Sequence, residues 1–271
     1  MSSYIQKVLE AEKKRAGRDV KSKSHSTADK GQTGSTGIFD KLPVAHVHED
    51  SMEKNKILPS VADRKAITAY KILRTRVLQR MRTNKWRTLV ITGAGSGEGK
   101  TMTASNLAVS ISSDVNQSVV LVDLDLQRST LASYFGLDMQ ASIGDYLLGK
   151  ANIEDIVYAP EGIDRLAIIP NRDSIPNSSD LLSSPRMREL LEWIDQRGPN
   201  SLAIFDMPPV LACDDVLAFA PFADAILMVA SEGLTDRSSL TKTMEMLGDR
   251  NLLGVVLNQS SEHDNETGYY G

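Results

Sequence analysis

At 271 residues with 41% hydrophobic side chains, the chain has material for one α/β domain of ~200 residues plus appendages. A formal net charge of −4 argues against a nucleic-acid binder, and a single cysteine, Cys213, excludes a disulfide framework or a Cys-rich zinc or iron–sulfur site within the chain and fits a reducing compartment. No apolar run follows the first charges as a signal peptide requires, and the most apolar window, 216–230, is too short to span a bilayer and holds Pro221 and Asp224, so a cytoplasmic protein that meets a membrane only through a partner is expected.

Residues 1–60 read as a flexible arm. Ser2 to Arg18 can form a short charged helix with Ile5, Val8, Leu9 and Ala11 as a thin apolar stripe. Residues 21–37 are rich in Lys, Ser, Thr and Gly and cannot bury enough apolar surface to offset the entropy of ordering. A tether and a docking arm are both consistent with this composition, and His25, His46 and His48 read as solvated rather than metal-bound. Residues 64–87 carry nine basic side chains, from Arg64 to Arg87, with no acid among them, while Ala66, Tyr70, Leu73, Val77 and Met81 recur at helical spacing. One face of this helix can pack; the other is a positive ridge. A solvated face is the plain reading. An acidic partner, a neighbouring subunit or anionic lipid are the alternatives, and nucleic acid lacks an aromatic platform here.

From Thr88 onward strand-like and helix-like segments alternate. Strands are expected at Leu89–Thr92, Ser118–Asp123, Arg165–Pro170, Leu202–Asp206, Ala225–Ala230 and Leu253–Asn258, several of them continuous apolar runs suited to burial on both faces. Helices are expected at Lys100–Ser112, Pro185–Arg197 and Thr235–Arg250, with Ser184 and Pro185 as a cap and first-turn pair. This alternation predicts an α/β fold, a mostly parallel sheet flanked by helices on both faces. Cys213, in an apolar stretch, reads as a small core residue.

The first of these units carries the strongest motif. Leu89-Val90-Ile91 leads into Thr92-Gly93-Ala94-Gly95-Ser96-Gly97-Glu98-Gly99-Lys100-Thr101, and Met102 onward reads as a helix. Strand, Gly-rich loop, then Gly-Lys-Thr opening a helix is a phosphate-binding loop in its required context. Ala94 stands where the pattern has Gly, the mildest of replacements. Gly95, Ser96, Gly97, Glu98, Gly99, Lys100, Thr101 and Met102 form the candidate nucleotide cradle: backbone N–H groups and the helix N-terminus face phosphate oxygens, Lys100 reaches the β- and γ-phosphates, and Thr101 offers a hydroxyl to Mg²⁺. Two further strands end in acids, Asp123-Leu124-Asp125 and Asp206-Met207-Pro208-Pro209. Ligands of doubly wound sheets sit beyond the carboxyl ends of strands, so these carboxylates are expected to converge on the triphosphate, with a divalent cation relieving their repulsion.

The ordered set of phosphate loop, Asp123-to-Arg128 segment, Asp206-to-Pro209 segment and the terminal pair Tyr269-Tyr270 resembles the bacterial tyrosine kinases of the Walker type, which act in capsule and exopolysaccharide export. Residues 177–185 and 254–258 add to the likeness, which covers roughly 60–271. The resemblance implies a P-loop kinase domain over 61–258 and a mobile tyrosine tail over 259–271. It implies ATP and Mg²⁺ as cofactors: Lys100 on the phosphates, Thr101 and Asp123 on the metal, and Asp206 supporting the metal through water. It further implies Asp123 or Asp125 as acceptor of the tyrosine hydroxyl proton, Asn258 near the adenine, and Tyr269 and Tyr270 as phospho-acceptors in a neighbouring copy. The expected partners are ATP/ADP, a second copy in a homo-oligomer, and an inner-membrane polysaccharide co-polymerase as activator, with no nucleic acid. Three departures stand out. Gln127 takes the place of the family's Arg in Asp-x-Asp-x-Arg, Thr68 replaces the acid of the Glu-x-x-Arg-x-x-Arg subunit-contact element alongside Lys71 and Arg74, and the tyrosine cluster is only a pair. The rivals are a Min/Par-like spatial-switch ATPase, against which the lack of a lysine at Gly95 counts, and a nucleotide-binding scaffold with little catalysis.

Overall fold

A computed structural model describes residues 42–60 and 63–260. The first 41 residues, the dipeptide 61–62 and residues 261–271, including both terminal tyrosines, lie outside the described residues. Strands β1 (Val44–Ala45), β2 (Thr88–Gly93), β3 (Ser118–Asp123), β4 (Ala159–Pro160), β5 (Leu166–Ile169), β6 (Ser201–Asp206), β7 (Ala225–Ser231) and β8 (Leu252–Asn258) alternate with helices. Six of them form one wholly parallel sheet in the order β5-β3-β6-β2-β7-β8, and β1 pairs with β4 in a small parallel ribbon. The six expected strands are therefore present, each within a residue or two of its expected ends.

The period of two along each strand builds two cores from one sheet. Leu89 and Ile91, Val119 and Leu121, and Leu227 and Val229 join one apolar cluster, packed against helices α2 (Arg64–Asn84) and α3 (Lys100–Ser112). Val90, Val120, Val122, Phe205, Ile226 and Met228 join the other, against α4 (Pro185–Asp195) and α5 (Asp215–Phe219). Strands β6 and β7 are buried from end to end, which is why their sequences are unbroken apolar runs. Edge strand β8 alternates, leaving Val255 and Leu257 exposed. Helix α4 starts as expected: the Ser184 hydroxyl accepts from the Met187 N–H, and Pro185 sits in the first turn.

Two expectations shift. Residues 42–60, assigned to the arm, pack on the domain: helix α1 (Glu49–Lys54) and the chain after it bury Met52, Ile57 and Leu58. Asn106 on α3 fixes this segment, accepting from the Leu58 N–H at 2.8 Å and donating to the Lys56 carbonyl at 3.0 Å. The apolar residues here are isolated in a polar stretch, so no periodicity announces them. Exposed His46 meets Glu161 at 2.8 Å. Helix α2 ends at Asn84 rather than 87 because Lys85 turns left-handed, at φ 58°, to feed β2. Part of its basic ridge is used internally. Arg74 donates to the Ser110 carbonyl at 2.8 Å, Arg80 donates to the Leu253 carbonyl, and Arg87 pairs with Asp195. Among the described residues no helix is long and apolar enough to cross a membrane.

Candidate functional site

Because β2, β3 and β6 are parallel neighbours, their carboxyl ends share one rim. Ile91 pairs with Asp206, and Asp206 with Asp123, in register. The phosphate loop leaves β2 at this rim and curls through Gly97 at φ 80° and Gly99 at φ 84°, the cap of α3. Gly99 is left-handed and crowded: a Cβ there would lie 2.1 Å from Asn258 Nδ2. Gly93 is equally constrained, since a Cβ would fall 2.6 Å from the Val229 carbonyl and 2.1 Å from Glu98 Oε2. Ala94 is buried, so the missing glycine there is accommodated without backbone strain.

The loop is braced from behind. Glu98 is buried, and its Oε1 accepts from the Thr235 hydroxyl at 2.6 Å while Oε2 has no partner among the described residues. Asn258 Nδ2 donates to the Glu98 carbonyl at 2.9 Å, and Gln259 Nε2 to the Gly97 carbonyl at 3.2 Å. Lys100 bends back along the loop and donates to the Gly95 carbonyl at 2.7 Å. Its burial lowers the ammonium pKa, an effect opposed by the charges of Glu98, Asp206 and Asp125. Arg128 Nη1 lies 3.4 Å from the Ser96 hydroxyl, closing the cradle from the β3 side.

The two strand-end acids sit in different surroundings. Asp123 is buried, and its oxygens accept from the Ser129 hydroxyl at 2.8 Å, the Leu131 N–H at 3.2 Å and the Asp125 N–H at 3.2 Å. Burial nonetheless pushes its carboxyl up to about 7. Asp206 is as deeply buried, and neither carboxylate oxygen has a hydrogen-bond partner of normal geometry among the described residues. Burial first and the Asp123 charge second hold it well above the ordinary carboxylate range; the nearby Thr101 hydroxyl and Lys100 pull the other way without reversing this. Asp125 is half-buried and also raised, by burial, with the Arg128 N–H and Lys100 opposing. Two oxygens shut away from water with nothing to bond are what a cation site looks like when only the protein's own groups are counted. The donor set, two adjacent carboxylates and the Thr101 hydroxyl, is all hard oxygen and leaves coordination positions for phosphate and water, which fits Mg²⁺.

The structure thus brings together Gly95 to Met102, Asp123, Asp125, Asp206 and Asn258. Asn258 and Met102 also line a cavity of about 520 Å³ beside the loop, walled by Tyr70 and Leu73 of α2. Gln127, in place of the expected arginine, donates to the Ser178 hydroxyl at 3.3 Å, and Ser178 bonds the buried Asp215 carboxylate at 2.7 Å. The Cys213 thiol is pushed up to about 11 by burial, as suits an inert residue. Sequence reasoning missed Thr235, Gln259 and Ser129. Each is an isolated polar residue whose role arises only from the strand order, so no local signal marks it.

Fold and cradle together define a phosphate-loop nucleotide-binding domain. Residues 89–269 match the model of the CobQ/CobB/MinD/ParA nucleotide binding domain. The chain is 33% identical over 206 residues to tyrosine-protein kinase YwqD of Bacillus subtilis, a match spanning 74% of this chain and 85% of YwqD. It is 32% identical over 197 residues to tyrosine-protein kinase etk of Escherichia coli, covering 71% of this chain but 26% of etk. The solved kinase domain of Escherichia coli tyrosine kinase ETK aligns with a TM-score of 0.69 at 25% identity, over 100% of this chain and 91% of that domain. The septum site-determining protein MinD complexed with Mg-ADP, from Pyrococcus horikoshii, shares the fold at a TM-score of 0.54 and 21% identity, over 65% of this chain and 72% of that one. The chain belongs to the CobQ/CobB/MinD/ParA nucleotide-binding family and, within it, to the bacterial tyrosine kinases.

Proposed function

We propose that the protein is an ATP-dependent protein-tyrosine autokinase that modifies Tyr269 and Tyr270 in a neighbouring copy and thereby regulates exopolysaccharide or capsule synthesis or export. One observation carries the chemistry: the unpartnered Asp206 carboxylate beside Asp123, at the mouth of an amide cradle that also holds Lys100. Phosphoryl transfer asks for positioning and charge neutralisation more than covalent chemistry. The N–H groups of residues 95–101 orient the phosphates, and Lys100 exchanges its bond to the Gly95 carbonyl for phosphate oxygen. Thr101 and Asp123, with Asp206 in support, would hold Mg²⁺, which would supply neutralisation of the phosphate charge. Asp123 or Asp125, the carboxylates nearest the cradle, takes the tyrosine proton. Asn258 and Met102 border the space for the adenine. A membrane-bound partner recruits and activates the protein at the cytoplasmic face.

Incubation with labelled Mg·ATP is the test. Label on the tail that disappears in Lys100→Met, and in the double variant Tyr269→Phe with Tyr270→Phe, is the expected outcome. Release of free phosphate without tail label instead identifies a switch ATPase, and neither product identifies a scaffold.

A further inference from the structure

At the rim opposite the phosphate loop lies a second cavity, of about 380 Å³, within the size range of small-molecule sites. Arg82 and Lys85, from the end of α2, line it with Trp86 and Arg87, and Asn200 and Ser201 close it from the start of β6. Among the described residues no acidic side chain lines it. Its polar groups are mostly donors that lack strong partners. The Lys85 ammonium and the Trp86 indole N–H have no partner among the described residues, and Arg82 reaches Asp114 only at 3.8 Å. Arg87 is anchored on Asp195, which fixes its guanidinium at the wall. The Ser201 hydroxyl, in a residue only 5% exposed, is buried without a hydrogen-bond partner among the described residues. Gln117, whose amide donates to the Asn116 carbonyl at 2.8 Å, is one further polar group, and Met81, Pro199, Leu202 and the indole face make up the apolar part. Several cations and donors beside a flat apolar wall match a ligand with a doubly charged anionic head and a planar body.

The cavity is separate from the nucleotide cradle. It touches the starts of β2, β3 and β6, through Arg87, Gln117 and Ser201, whereas the cradle and both buried acids lie at the ends of those strands. Six residues of strand separate the two rims, roughly 20 Å. We propose that this cavity is a second binding site, for a phosphate monoester carried on a planar ring. Two sources share that chemistry, a nucleoside monophosphate and a phosphotyrosine side chain.

The chain has two tryptophans, so Trp193→Phe leaves Trp86 as the sole indole reporter, and Lys100→Met removes the phosphate loop from the measurement. The protein carrying both changes is titrated with AMP, phosphotyrosine amide, tyrosine amide and inorganic phosphate, following Trp86 emission. A saturable change is expected with AMP or with phosphotyrosine amide, whichever responds identifying the source, and tyrosine amide is expected to be silent. Adding Arg82→Ala and Lys85→Ala, both on exposed side chains, is expected to weaken binding roughly tenfold or more while leaving the thermal melt in place. Silence from both monoesters, equal binding of tyrosine amide or of inorganic phosphate, or an unchanged affinity in the Arg82 and Lys85 variant would each overturn the assignment. Because the nucleotide cradle is disabled throughout, none of these results bears on the kinase reading.

Discussion

Replacing Asp206 by Asn should stabilise the ligand-free protein while disabling it. Asp206 is buried beside Asp123 with both oxygens unpartnered, so its charged form is disfavoured in the fold and favoured in the unfolded chain. A raised carboxylate pKa costs nothing at low pH, and the cost grows as pH rises from the ordinary value towards the folded one. The scale is that of a buried charge left without a partner, about 3–5 kcal/mol. The new amide brings its own unpartnered donors, at about 1–3 kcal/mol. The net gain is then roughly 1–3 kcal/mol near pH 8, or a Tm rise of roughly 2–10 °C for a domain of this size. Thermal melts without nucleotide or metal at pH 4.5, 6 and 8 measure it, and the gap between variant and wild type should widen with pH. With Mg·ADP the order should reverse, since only the wild type gains strongly from the ligand. A variant less stable than wild type at pH 8 without ligand, or a gap that ignores pH, would refute the reasoning.

Other perturbations probe the frame around the site. Gly99→Ala forces a side chain into a left-handed position against the Asn258 amide, so a loss of about 1–3 kcal/mol and a weaker grip on nucleotide are expected, read by melting and by nucleotide titration. Asp224 Oδ2 accepts from the Arg87 N–H at 2.7 Å, the Thr88 N–H at 2.9 Å and the Thr88 hydroxyl at 2.8 Å at the foot of β2. Asp224→Ala orphans these donors and should cost about 2–3 kcal/mol, with nucleotide affinity unchanged, as paired melts and titrations would record.

Much of this was legible in the chain itself. The parallel sheet announced itself through unbroken apolar runs such as Val119 to Val122, because strands covered on both faces have no polar side to alternate. The cradle and its acids were legible for a related reason: each sits at the end of such a run, and parallel pairing gathers those ends. The docking of residues 42–60 was not legible, because it depends on the side chain of Asn106, 48 residues away in sequence, capturing the backbone near Leu58. The fate of the basic ridge was hidden as well. Helical spacing shows which way Arg74 and Arg80 face, and only the packing of α2 on α3 and β8 supplies the carbonyls that take them up.

The bonds from Asn258 and Gln259 to the loop have a temporal consequence. Translation delivers Lys100 some 160 residues before the side chains that hold its loop in shape. A nascent chain still on the ribosome can therefore have its glycine turn and its lysine yet lack a rigid grip for phosphate. Competence for nucleotide arrives only when β8 joins the sheet, which makes a strand synthesised long after the loop the latch that holds it.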